Sequence, residues 1–168
     1  IIWGTGFVAS ALALEYYTPV QILALRFTIA FVISFILFRN KLKSISKRKV
    51  MKASLIGLFL FLAFYFQTVG LQYTTASKNA FLTATNIIIV PFLSFVIFKD
   101  KIKSKNILGA IVTLIGIGFL SVEAGGFTGI NKGDLLTLVC AVFFALQIFY
   151  TDHVVKDIDA EVILVIQM

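Results

Sequence analysis

The feature that most constrains this chain is a recurrence. Almost unbroken apolar stretches return along it, separated by short polar breaks. They run over about 19–38, 53–72, 79–98, 106–122 and 134–151, with a first at 1–14 and a last opening near Ala160. A helix rises about 1.5 Å per residue, so roughly 20 residues cross the roughly 30 Å of bilayer hydrocarbon. Hydrocarbon offers no partner to backbone N–H and C=O groups, so a spanning segment is either helical or part of a closed barrel. Barrel strands alternate polar and apolar residues over about ten positions. Segments 31–38 and 87–90 do not alternate. The predicted fold class is therefore all-α, a multi-pass transmembrane helical bundle. Composition supports this: 60% of the 168 residues are apolar and 14% charged, with a mean hydropathy of +1.00. A soluble domain is about half apolar and about a quarter charged.

A net charge of +7 would suggest nucleic acid in a soluble chain, but the position of the charges excludes that reading. Eleven of the fifteen Lys and Arg residues fall in two alternate breaks, 39–52 and 99–105. The intervening breaks carry almost none: 15–18 has no base, 73–78 only Lys78 and 123–133 only Lys132. This alternation is the positive-inside pattern. It predicts that the N-terminal end and loops 39–52 and 99–105 are cytoplasmic. The break at 152–159 should lie on the same side, yet it is mostly acidic, with Asp152, Asp157 and Asp159 against Lys156.

A weak internal repeat appears at an offset of 141 residues. It sets Ile22 and Leu23 on Ile163 and Leu164, Trp3 on Phe144 and Ser10 on Thr151. Five helices fill one period. Five is odd, so a second copy enters the membrane from the opposite side, as in inverted-repeat carriers. The chain opens without Met and stops inside an apolar run. It is read as about the first six and a half helices of a ten-helix protein. The expected divisions are a first repeat at 1–122, an external linker at 123–133 and the start of a second repeat at 134–168.

Several ordered motifs resemble the EamA-type members of the drug/metabolite transporter superfamily. They are Trp3-Gly4 followed by Gly6-Phe7, the stretch from Pro19 to Arg26-Phe27, and Gly70 to Ala80 between the third and fourth helices. Pro91 in the fourth helix and Lys99-Asp100-Lys101 ahead of Gly109 and Gly116 complete the set. That family has Glu where this chain has Asp100. The second copy has no Trp-Gly at Phe144-Ala145 and no Arg at Gln167. The resemblance implies a carrier in the cell membrane that moves a small organic solute such as an amino acid, metabolite or drug, by efflux or exchange. Proton or sodium coupling and a homodimer remain open. The expected partners are the solute and membrane lipid, with no nucleic acid and no cofactor.

Candidate site residues follow from polarity inside the spans. Arg26 stands about two turns into the second helix, where a charge costs several kcal/mol. It serves binding or gating, reaches the outer head groups, or makes a structural contact to a helix end. Tyr65, Gln67, Thr83, Thr85 and Asn86 are polar within the third and fourth helices. Asn79, Thr83 and Asn86, at i, i+4 and i+7, share one face of a straight helix, and Pro91 should break a backbone bond below them. Cavity lining and interhelical hydrogen bonding are both open for this group. Trp3, Gln147 and Tyr150 are further cavity candidates. Gly109 and Gly116 are expected to admit a close helix neighbour. Cys140 and His153 have no metal partners at ligand spacing. A membrane enzyme, or a bundle translocating lipid or a polyprenyl carrier, is the alternative. It would need paired acids or a His/Asp/Arg cluster near one face, and none stands out.

Overall fold

A computed structural model describes residues 2–42, 45–99, 104–120, 122–123, 126–127 and 129–168. The helices are α1 (Ile2–Ala13), α2 (Pro19–Phe38), α3 (Lys47–Leu71), α4 (Ala76–Thr83), α5 (Asn86–Phe98), α6 (Ser104–Leu120), α7 (Lys132–Val154) and α8 (Ala160–Gln167). A 3₁₀ turn at Arg39–Leu42 extends α2. A minimal antiparallel hairpin pairs β1 (Val122–Glu123) with β2 (Gly126–Phe127) across the start of the expected linker, and α7 begins before that linker's predicted end. Four helical segments are long and apolar enough to cross a membrane: Pro19–Leu42, Lys47–Leu71, Ala76–Ile97 and Lys132–Val154.

Local chemistry sets the helix ends. Thr18 caps α2, taking the Gln21 N–H while the Gln21 amide oxygen takes the Thr18 N–H at 2.9 Å, and Pro19 occupies the first helical position. Helix α3 starts at Lys47, six residues before the apolar run expected from 53. Lys and Arg are good helix formers, so the basic break prolongs the helix into water.

The fourth span is not one helix. It breaks at Ala84–Thr85, where the Thr85 N–H reaches Leu82, Ile87 reaches Ala84 and Ile88 reaches Thr85 in tight i→i−3 bonds. Pro91 sits inside α5. A proline ring presses on the carbonyl four residues earlier, here Ile87, so the distortion falls one turn ahead of Pro91 rather than below it. The Thr85 hydroxyl donates to the Leu82 carbonyl at 2.6 Å and closes the turn.

The core lies between antiparallel α3 and α7. Their ends away from the basic loops meet through Gly70 and Gly133, where a Cβ on Gly133 would stand 2.5 Å from the Gly70 carbonyl oxygen. Further along, Leu60, Ala63, Cys140 and Phe144 form one buried apolar cluster. Ile56, Val154, Ile158, Val162 and Ile163 form a second at the basic end. Lys41 pairs with Glu161 at 2.7 Å and Lys52 with Asp157 at 2.9 Å. The acidic break therefore faces the basic one from the same end of the bundle, which accounts for its unexpected sign. By contrast Val32, Ile33, Ile36 and Leu37 of α2 turn outward, as do Leu108, Val112 and Phe119 of α6. A water-facing surface would not carry such side chains, whereas lipid accepts them.

Candidate functional site

A cavity of about 310 Å³ lies among α1, α2, α3, α4, α5 and α7. Its polar wall consists of Arg26, Gln67, Thr83 and Asn86. Its apolar wall includes Phe7, Phe64, Ile87, Phe144 and Ile148, with Gly6, Ala80 and Ala84 between them. The small residues leave the space that the aromatics and Arg26 border. A wider hollow of about 590 Å³ opens between α2, α3 and the end of α8, but its wall is apolar apart from Thr28, Ser54 and Gln167.

Arg26 borders the cavity while remaining exposed on α2. Its guanidinium carbon lies 4.1 Å from the centre of the Phe64 ring, a cation–π contact that holds it against α3. Gln67 donates to the Thr83 hydroxyl at 3.2 Å, linking α3 to α4. The Thr83 hydroxyl is also 3.9 Å from the Cys140 sulfur on α7. Asn86, only 3% exposed, follows the broken turn into α5.

Four of the predicted cavity residues thus come together, and four do not. Asn79 is fully buried away from the cavity wall. Its amide donates to the Gln67 carbonyl at 3.1 Å and to the Thr137 hydroxyl at 2.8 Å, so it fastens α4 to α3 and α7. The single face expected for Asn79, Thr83 and Asn86 assumed a straight helix. The tighter turn at Ala84–Thr85 removes that register. Tyr65 stacks on Phe61 and meets Phe66 edge-on. Tyr150 packs edge-on to Phe59 beside the cluster around Ile56. Gln147 reaches Thr151 and Gln167, bridging α7 and α8. Trp3 belongs to α1, but its side chain lies outside the described residues, as do Asp100, Lys101 and Gly125. Gly116 receives the Phe81 ring, whereas Gly109 has open space where a Cβ would go, so nothing described packs against it.

A second polar feature was hidden in the break residues. Lys78 and Asp134 form an ion pair of 2.7 Å with side chains 7% and 3% exposed. Asp134 also accepts the Thr74 hydroxyl at 2.8 Å and the Asn131 N–H at 3.0 Å. Both residues stand third in their helices, after caps at Thr75 and Asn131. The spacing Asn131-x-x-Asp134 ahead of an apolar run is a capping-box signal visible in sequence. The burial of Lys78 carried no such signal. From this pair a polar seam runs through Asn79–Thr137 to Thr83–Cys140 at the cavity.

A bundle with membrane-length apolar helices around a partly polar cavity is a multi-pass membrane protein. Residues 1–122 match the EamA-like transporter family, and the chain belongs to that family. It is 36% identical to an uncharacterized transporter of Archaeoglobus fulgidus over 91% of this chain and 46% of that relative. It is 29% identical to an uncharacterized transporter of Buchnera aphidicola over 94% of this chain and 54% of the relative. It is 28% identical to the uncharacterized transporter YetK of Bacillus subtilis over 74% of this chain and 39% of the relative. The chain thus spans about half the length of the curated relatives it matches. No solved structure matches it significantly.

Proposed function

We propose that the whole protein is a secondary carrier of the cell membrane that moves a small organic solute by alternating access, in efflux or exchange. The observation that carries this reading is the cavity: Arg26, Gln67, Thr83 and Asn86 converge from four helices onto one space between apolar helices. A charge and three amides or hydroxyls inside a bundle cost free energy that lipid does not return, which favours a ligand-facing role. Two features support the repeat division at 1–122, 123–133 and 134–168. Helices α2 and α8 begin at Pro19 and Ala160, and their caps are Thr18 and Asp159, the two residues set together by the repeat offset. The Thr83–Asn86 break supplies the discontinuous helix that carriers use at a binding site. Loops 39–52 and 99–105 face the cytoplasm in this reading.

Proteoliposomes containing the full-length protein test it. Saturable uptake and counterflow are expected for at least one solute class. Arg26→Ala and Asn86→Ala should each lower transport at least about tenfold without loss of membrane insertion, while Tyr150→Phe should have little effect. Absence of saturable counterflow across a broad panel of amino acids, organic acids and cationic drugs would sink the carrier reading.

A further inference from the structure

Among the described residues, Arg26 is the one charged side chain on the cavity wall, and no acid is on that wall. Three of the described acids are paired elsewhere: Asp134 with Lys78, Asp157 with Lys52 and Glu161 with Lys41. The guanidinium rests its face on Phe64, and among the described residues none of its N–H groups is given to an acceptor. A guanidinium carries five donors in a planar fork and no acceptor, a geometry matched by a carboxylate. Asn86, 97% shielded from solvent, likewise gives its side-chain amide to no described group. The rest of the wall is hydrocarbon: Phe7, Phe64, Phe144, Ile87 and Ile148. The volume of about 310 Å³ is at the lower end for small-molecule sites, which run from about 300 Å³ upward.

Resting on the carrier reading above, we infer that the solute is a monoanionic organic acid with an apolar, preferably aromatic body. Its carboxylate sits on the Arg26 fork, its body lies between the phenylalanines, and Asn86 takes one further polar group. One cation on the wall balances one negative charge. Among the described residues the wall has no second base for a phosphate dianion and no acid for an amine. In a weakly polar surround such a mismatch is heavily penalised.

The test uses purified full-length protein and three probes that share a phenyl body: phenylacetate, phenylacetamide and phenethylamine. Equilibrium binding in detergent and uptake in proteoliposomes are measured separately. Phenylacetate should bind at least about tenfold more tightly than the amide, and the amine weakest. Arg26→Gln should abolish the preference for the acid, weakening phenylacetate binding at least about tenfold more than amide binding. Arg26→Lys, which keeps the charge but loses the fork, should fall between. Monodisperse elution of each variant controls for folding. Equal binding of the three probes, preference for the amine, no binding of any probe, or an Arg26→Gln effect shared equally by all three overturns the inference. Charge-selective, Arg26-dependent binding without uptake would uphold the site and sink the carrier reading. Saturable uptake of other solutes with no acid preference would do the reverse.

Discussion

The buried pair Lys78–Asp134 makes the sharpest structural prediction. The two side chains meet at 2.7 Å and are 7% and 3% exposed, so neither charge is solvated in the folded bundle. Lys78→Met removes the cation and leaves the Asp134 carboxylate with the Thr74 hydroxyl and the Asn131 N–H only. Asp134→Asn leaves the Lys78 ammonium without a counter-ion. Removing one partner of a buried pair costs about 3–5 kcal/mol, because the remaining charge stays buried without compensation. Replacing both partners by neutral groups of similar shape is often near neutral. Each single variant should therefore lower the thermal unfolding midpoint of the full-length protein by on the order of 10 °C. The double variant Lys78→Met/Asp134→Asn should recover most of that loss, a strong non-additivity between contacting residues. The midpoint is read from the fluorescence of the purified protein in detergent. Single variants that shift it by less than about 1 °C, or a double variant as damaged as the sum of the two, would refute the pairing as a stability determinant.

Three further outcomes follow from other parts of the bundle. Gly133→Ala places a methyl group 2.5 Å from the Gly70 carbonyl, so overpacking should cost about 1–3 kcal/mol, whereas Gly109→Ala, with nothing within 4 Å, should be neutral or slightly stabilising in the same thermal assay. The Lys52 ammonium, by its hydrogen bond, holds Asp157 below the usual carboxylate range. A carboxylate lowered in this way stabilises the fold above its unfolded value of about 3.9, and that contribution fades as pH falls through the lower folded value. Asp157→Asn should therefore reduce the difference between midpoints at neutral and acid pH, by an amount that shrinks in high salt because the pair is exposed. A larger pH sensitivity in the variant would contradict that sign. In a Cys140→Ala background, single cysteines at Lys49 and Lys105 should be labelled only from the cytoplasm and one at Tyr17 only from outside. The opposite labelling would reverse the orientation read from the basic loops.

Much of the architecture can be read from the chain because hydrocarbon tolerates so little. A run from Pro19 to Phe38 with Thr18 before it can only be a capped spanning helix, and α2 has those bounds. The apolar runs define helices wherever backbone groups must be satisfied internally, and the alternating basic breaks group the loops. Sequence read less well wherever the outcome depended on a neighbouring helix. The extension of α3 to Lys47 needed only helix propensity and a water-facing end, which an apolar-run reading ignores. The sign of the acidic break made sense only once Lys41 and Lys52 stood opposite it.

The sequence by itself determined that this is a helical membrane bundle, which segments are apolar enough to form its helices, and that Arg26, Gln67, Thr83 and Asn86 are polar where polarity is costly. Only the tertiary structure decided which of those residues share a cavity. Asn79 is as polar as Asn86, yet the crossing of α3, α4 and α7 turns it into a fastener, while the break at Ala84–Thr85 carries Asn86 to the cavity wall. Lys78 looks like a loop charge until Asp134 of α7 closes on it. The physical reason is common to both. Transfer into lipid depends on a residue's own chemistry and can be read locally. The worth of a buried polar group depends on the partner that the packing of other helices brings within about 3 Å.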